Sequence, residues 1–164
     1  MPPLLHNHPD KIAAEVEPLL VRLASRYEQI VIGYADCGTY GALDALCERY
    51  GVRRLAGLHC YDLYGGAERV ASMFGQQPGT YVLTDFLVRS FERTVVRELG
   101  LDRYPELRDD YFAHYTQMVW LAQEPDDELR ALAGRAAKAI GLPLTEIDVG
   151  VRGLEASLEQ ALTQ

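Results

Sequence analysis

Two cysteines and a histidine carry the clearest chemistry in this sequence. Cys37 comes shortly after the apolar run 30–32, and His59 and Cys60 follow a second apolar stretch that ends at Leu58. Both stretches have the pattern of short buried strands, so each group is predicted just beyond the C-terminal end of a strand. Such ends line the ligand crevice of an open α/β sheet. Two thiols and an imidazole there could ligate a soft metal or carry out thiol chemistry.

Cys37 is the stronger candidate for a reactive thiol. Gly38 follows it, and a helix is predicted over 38–50, so the helix N-terminus would favour the thiolate. We therefore expect Cys37, Cys60 and the adjacent Asp36 to form the catalytic group. The third cysteine, Cys47, falls in the middle of the predicted helix and is interpreted as a buried structural residue.

The same residues could hold a metal ion. Cys37, His59, Cys60 and His6 are the candidate ligands, with His8 interpreted as part of a solvated loop. Their spacing is not that of a zinc finger, so the ligand set would have to be assembled across the fold. Thiolate ligands suit zinc and iron–sulfur clusters, and both remain candidates.

Further polar residues occur at or near other predicted strand ends. Asp85 follows the third predicted strand and Gln123 the fourth, although an aspartate there is also a favoured helix N-cap. Tyr61 directly follows Cys60, and Arg89 is the member of an arginine stripe closest to its helix start. We expect Tyr61, Asp85 and Arg89 to contact a bound cofactor or substrate.

Strands and helices alternate along the whole chain. The pattern predicts strands over 28–34, 52–58, 81–83, 118–121 and 144–149, separated by helical segments. Helices are predicted over 9–26, 62–74 and 86–99 among others, and Pro18 should kink or split the first of them. This order predicts a single α/β domain over 1–164. Its mainly parallel, Rossmann-like sheet of about five strands would be covered by helices on both faces, as a three-layer fold.

Composition excludes several classes of protein. The 164 residues carry a formal net charge of −8, which disfavours nucleic-acid binding because phosphate contacts need a basic surface. No apolar run approaches the length of a membrane span, and the N-terminus lacks the pattern of a signal peptide. Three cysteines without disulfide spacing indicate a reducing cytoplasm. No phosphate-binding glycine motif is present.

Several segments resemble an uncharacterised prokaryotic family, domain-of-unknown-function family 1638. The resemblance covers nearly the whole chain and rests on the combination of segments 5–9, 34–39, 43–44, 59–61, 78–80, 83–87, 100–103 and 105–107.

The resemblance implies more than the residues alone. Members of the family are similar in having an additional N-terminal strand that ends in a cysteine and a glycine, so we expect that unit to be missing here with its third thiol. Members also tend to be encoded near corrinoid-dependent methyl-transfer proteins. The resemblance therefore implies a role in one-carbon or cobalamin metabolism, with corrinoid or methyltransferase proteins as partners.

Three functions remain open at this point. The first is a metal-binding protein that serves methyl transfer on a small-molecule substrate. The second is a metal-free thiol enzyme in which two cysteines act as acid and base, as in cofactor-independent racemases. The third is a non-catalytic small-molecule-binding module. Metal content separates the first function from the other two. The sequence does not decide whether the chain forms a homo-oligomer.

Overall fold

The computed structural model describes residue 5 and residues 7–163 of the chain. A short 3₁₀ turn, Pro9–Lys11, precedes the first α-helix, and a π-helical segment, Glu92–Arg97, continues the fifth. In chain order the other elements are α1 (Ile12–Ala24), β1 (Val31–Ile32), α2 (Ala42–Tyr50), β2 (Arg53–Arg54), α3 (Cys60–Gly65), α4 (Ala67–Gln76), β3 (Thr80–Thr84), α5 (Asp85–Phe91), α6 (Leu107–Tyr111), β4 (Gln117–Ala122), α7 (Asp127–Ile140), β5 (Leu144–Asp148) and α8 (Arg152–Thr163).

All strand pairs in the described part of the chain are parallel. β1 pairs with β2, and β3, β4 and β5 form a second sheet in that order. Helices flank both sheets. The prediction of a Rossmann-like α/β fold with parallel strands is confirmed, and the hydrogen bonds distribute the five strands over two sheets.

Among the described residues, 5 and 7–163, no helix is both long enough and apolar enough to span a membrane.

The chain divides into two compact units, which we describe separately. The first unit comprises 1–63 and 152–164, and the second comprises 64–151. The prediction that 1–164 is a single domain stays a prediction.

The first unit is built around the short β1–β2 pair. One apolar cluster joins α1 to α2 and includes Ile12, Leu20 and Leu43. A second cluster joins Ala35 and Leu55 to residues of α3 and α8. Each strand has only two residues, so the backbone around them is held largely by loops and side chains.

The second unit has one larger core around its three-stranded sheet. Trp120 on β4 is fully buried, as are Leu83 on β3 and Leu129 on α7. The registers extend over five residue pairs between β3 and β4 and again between β4 and β5. The burial of β4 from Met118 to Ala122 explains its continuous apolar sequence.

Several predicted boundaries differ from the structure. α1 runs without interruption past Pro18, so the expected split is absent. The helix predicted over 62–74 is two helices, because Gly66 has a φ of +80° that ends α3 and starts α4. The helix predicted over 86–99 changes from α to π geometry after Phe91. The first two strands are shorter than predicted, since only two residues of each form a regular parallel ladder.

Candidate functional site

The β1–β2 pairing continues past the strands and brings two loops together. The Leu55 N–H donates to the Ile32 carbonyl over 3.1 Å, which extends the ladder by one residue. The Asp36 N–H then donates to the Gly57 carbonyl over 3.1 Å, and the Cys37 N–H donates to the Leu58 carbonyl over 2.8 Å. The backbone of Cys37 is therefore fixed against the segment that leads into Cys60.

Asp36 shapes the loop that carries Cys37. One oxygen of its carboxylate accepts the Thr39 hydroxyl over 2.5 Å and the Gly41 N–H over 3.3 Å. The Thr39 N–H also donates to the Asp36 carbonyl. These bonds, that from the Thr39 hydroxyl above all, hold the pKa of Asp36 below its usual value. Asp36, the predicted catalytic aspartate, therefore uses this carboxylate oxygen to stabilise the turn.

This turn corrects the predicted position of Cys37 relative to the helix. α2 begins at Ala42, five residues after Cys37, because the segment between them forms turns with positive φ at Gly38 and Gly41. Cys37 itself has a φ of +49°, a left-handed conformation that costs energy for a residue with a Cβ. The helix N-terminus is therefore not what sets the charge of the Cys37 thiol.

Asp62 shapes the opposite loop. Its carboxylate accepts the N–H groups of Leu58 over 2.9 Å and His59 over 3.1 Å, and its own N–H donates to the His59 carbonyl. Asp62 is the third residue of α3, so this is the back-reaching half of a capping box. The arrangement makes Cys60 the first residue of α3.

The thiols of Cys37 and Cys60 are in direct hydrogen-bond contact. The hydrogen bond between the two side chains is the largest cause of a lowered pKa for Cys37, and a hydrogen bond from the Cys60 N–H to the Cys37 sulfur lowers it further. The same contact and burial raise the pKa of Cys60 well above its ordinary value. The geometry therefore favours a thiolate at Cys37 and a neutral thiol at Cys60, which share one proton.

Arg54 supports the site from β2. Its guanidinium donates to both carboxylate oxygens of Asp44, over 2.6 and 3.0 Å. It also donates to the carbonyls of Leu55 and Gly57, over 2.9 and 3.2 Å. Gly57 is the residue that pairs with Asp36, so Arg54 braces the loop contact while its positive charge helps to lower the pKa of Cys37.

Two nearby side chains remain neutral. Burial, followed by the proximity of the ionisable Cys37 and Cys60 side chains, raises the pKa of Tyr34 to about 12, so its phenol stays protonated. Burial likewise raises the pKa of Cys47, which packs with Leu43 and Leu46 in the core of the first unit. Cys47 is buried on the face that the sequence predicted.

The structure places the other predicted ligands less centrally. His59 is exposed, and its ring centroid lies 6.2 Å from that of Tyr61. His6 lies outside the described residues. Within 5 and 7–163, no three histidine, cysteine, aspartate or glutamate side chains form a group that could hold a metal ion. The ligand roles of His59 and His6 stay predictions.

This chain matches the model of a known protein family. A family model described as "Protein of unknown function (DUF1638)" matches residues 1–158. The chain belongs to this family. No curated protein and no solved structure matches it. DUF1638 membership confirms the resemblance noted from the sequence.

The two remaining predicted ligand-binding residues of this DUF1638 chain lie in the second unit. The Asp85 carboxylate accepts the Trp120 indole N–H over 2.9 Å, the Gln123 N–H over 3.1 Å and the Glu124 N–H over 2.9 Å. Asp85 therefore ties the end of β3 to the end of β4. Arg89 is exposed on α5. Their binding of a cofactor stays a prediction, as does that of Tyr61.

Sequence reasoning did not find Arg54, Asp62 or Tyr34 as parts of the candidate site. The sequence does contain a signal for Asp62. It stands three residues after the helix N-cap, a position from which acidic side chains accept hydrogen bonds from the backbone of the N-cap. Arg54 carries no such signal, since its partner Asp44 is ten residues away on another element.

Proposed function

We propose that Cys37 and Cys60 bind a thiophilic metal, either a zinc ion or the iron of an iron–sulfur cluster. The single observation that carries this proposal is the direct contact between the two thiols. Two thiolates about 2.3 Å from a tetrahedral zinc ion lie roughly 3.8 Å apart, a separation of the same order as a hydrogen bond between sulfurs. A hydrogen-bonded pair of thiols is therefore compatible with ligation of one metal by both sulfurs.

The protonation of the pair supports the same proposal. A metal ligand must be a thiolate, and Cys37 already favours that form. Binding would release the proton of Cys60, with the Arg54 guanidinium offsetting part of the negative charge. His59 and His6 are the proposed further ligands, and a thiol substrate could complete the coordination.

Such a site would suit the chemistry implied by the family resemblance. Zinc held by thiolates activates a bound thiol for attack by lowering its pKa. We therefore propose a cytoplasmic role in methyl transfer associated with corrinoid proteins. This wider role depends on the resemblance, whereas the metal site depends on the contact between Cys37 and Cys60.

The contact between the thiols disfavours the racemase-like alternative. An acid and a base that invert a carbon centre must reach it from opposite faces, so the carbon has to fit between them. Sulfurs that share a hydrogen bond leave no room for that carbon. The geometry supports ligation by both sulfurs better than proton transfer across a substrate.

Anaerobic metal titration of the reduced protein tests the proposal. We expect one equivalent of zinc, or one cluster after treatment with iron and sulfide, to remain bound through desalting. Cys37→Ser and Cys60→Ser should each lower affinity at least tenfold, in line with the loss of one thiolate ligand. Cys47→Ser is the matched control and should bind as the unmodified chain does.

Two results would overturn the proposal. One is that the reduced, unmodified protein retains neither zinc nor a cluster. The other is that Cys37→Ser and Cys60→Ser retain the metal as well as Cys47→Ser does, which would assign binding to other residues. Circular dichroism of each variant distinguishes a lost ligand from a lost fold.

A further inference from the structure

The Cys37–Cys60 pair has a second chemical capacity that does not depend on a metal. Cys37 and Cys60 are each half-buried, and their loops are held together by hydrogen bonds from the N–H groups of Asp36 and Cys37 to the carbonyls of Gly57 and Leu58. The same loops expose large apolar side chains, Tyr40 at 95% and Leu58 at 69%. The pair is therefore rigidly held but lies next to surface that a small molecule can reach.

We propose that Cys37 and Cys60 form a reversible dithiol–disulfide couple that exchanges with low-molecular-weight disulfides of the glutathione class. The bond from the Cys37 N–H to the Leu58 carbonyl holds the Cys37 backbone against the segment that leads into Cys60, and the two side chains are in hydrogen-bond contact, so closing the disulfide requires little movement of the backbone. This inference concerns the metal-free protein and does not rest on the proposed metal binding.

The exchange proceeds in two balanced steps. The thiolate of one cysteine of the pair attacks one sulfur of the external disulfide, which forms a mixed disulfide and releases one external thiolate. The other cysteine then loses its proton to solvent and attacks the protein sulfur of the mixed disulfide, which releases the second external thiolate. The protein is oxidised by two electrons, and the external disulfide is reduced to two thiols.

The third cysteine provides an internal control. Cys47 is buried on α2 between apolar residues of the α1–α2 core, and burial keeps it protonated. It should therefore neither attack an external disulfide nor pair with the other two cysteines.

The test uses the full chain, reduced, treated with a chelator and then incubated with oxidised glutathione. Peptide mapping of the unmodified protein should find a Cys37–Cys60 disulfide, which excess reduced glutathione reverses. Cys60→Ser should accumulate one glutathionyl group on Cys37, and Cys37→Ser should accumulate one on Cys60, because neither variant can close the disulfide. Cys47→Ser should behave as the unmodified protein.

Other outcomes contradict the proposal. Accumulation of a mixed disulfide on the unmodified protein would mean that the second cysteine does not resolve it. Absence of a Cys37–Cys60 disulfide in the unmodified protein would rule out the proposed couple. Pairing that involves Cys47 would mean that the thiol contact does not direct the exchange. Because metal is absent throughout, each result is independent of whether the protein binds zinc or iron.

Discussion

Asp36 in the first unit and Asp85 in the second both come soon after a parallel strand, and in sequence they look alike. Asp85 uses its two carboxylate oxygens to hold the indole of Trp120 and two backbone N–H groups at the end of β4. The carboxylate contacts of Asp36 stay within its own turn. That turn presents Cys37 to Cys60 instead of closing a sheet.

The two regions differ in what their polar residues at strand ends do for the fold. In the second unit the hydrogen-bonding groups of Asp85 and Gln123 are taken up by the fold. In the first unit, the hydrogen bonds of the two loops position the thiols of Cys37 and Cys60, and these two thiols contact each other. A reactive group is a better candidate for chemistry when the fold orients it but does not use it to join one strand end to another.

Removal of Asp85 should give the largest effect on stability. Asp85→Ala leaves the buried N–H of Trp120 and two backbone donors without an acceptor, so we expect a loss of about 3 kcal/mol in the free energy of unfolding. Denaturant titration measures the loss. Asp36→Ala is the matched variant and should cost only about 1 kcal/mol. Equal losses would contradict the contrast between the two aspartates.

Removal of the Arg54 guanidinium should give an intermediate effect. Arg54→Gln breaks the paired contact with Asp44 and two bonds to carbonyls, which should cost about 1.5 kcal/mol and raise the pKa of Cys37. Arg53→Gln is the control, since Arg53 is exposed and donates to the carbonyl of Ala161. Chemical denaturation and thiolate absorbance measure the two effects. An unchanged pKa in Arg54→Gln would remove its electrostatic role.

The backbone at Cys37 should give the smallest effect. A φ of +49° favours glycine, so Cys37→Gly should be more stable than Cys37→Ala by about 1 kcal/mol. The two variants lack the same thiol, and their difference in unfolding free energy isolates the backbone. If Cys37→Ala is as stable as Cys37→Gly, the loop does not hold Cys37 in a left-handed conformation.

Sequence patterns predict the parts of this molecule that depend on local periodicity. The apolar run over β4 and the spacing in α7 identify a parallel α/β fold and the elements of the second unit. The two-residue strands of the first unit are harder to delimit, because the Asp36 turn replaces the start of the predicted helix.

The candidate site divides in the same way. Cys37 and Cys60 stand out by residue type and by their position after apolar runs. Their contact depends on the bond from the Cys37 N–H to the Leu58 carbonyl, a pairing between distant segments that periodicity does not encode. The bracing by Arg54 and Asp44 is equally non-local.

The pH dependence of alkylation at each cysteine tests most directly whether Cys37 and Cys60 share a proton. The lowered pKa of Cys37 should make its rate rise and level off at a pH below that of an ordinary thiol, whereas Cys60 should still be protonated there. Cys60→Ala removes the donor and should move the Cys37 transition to higher pH, while Cys60→Ser keeps a hydroxyl donor and should move it less. If Cys37 and Cys60 titrate independently near the ordinary thiol pKa, and Cys60→Ala changes nothing, the two thiols do not form one site.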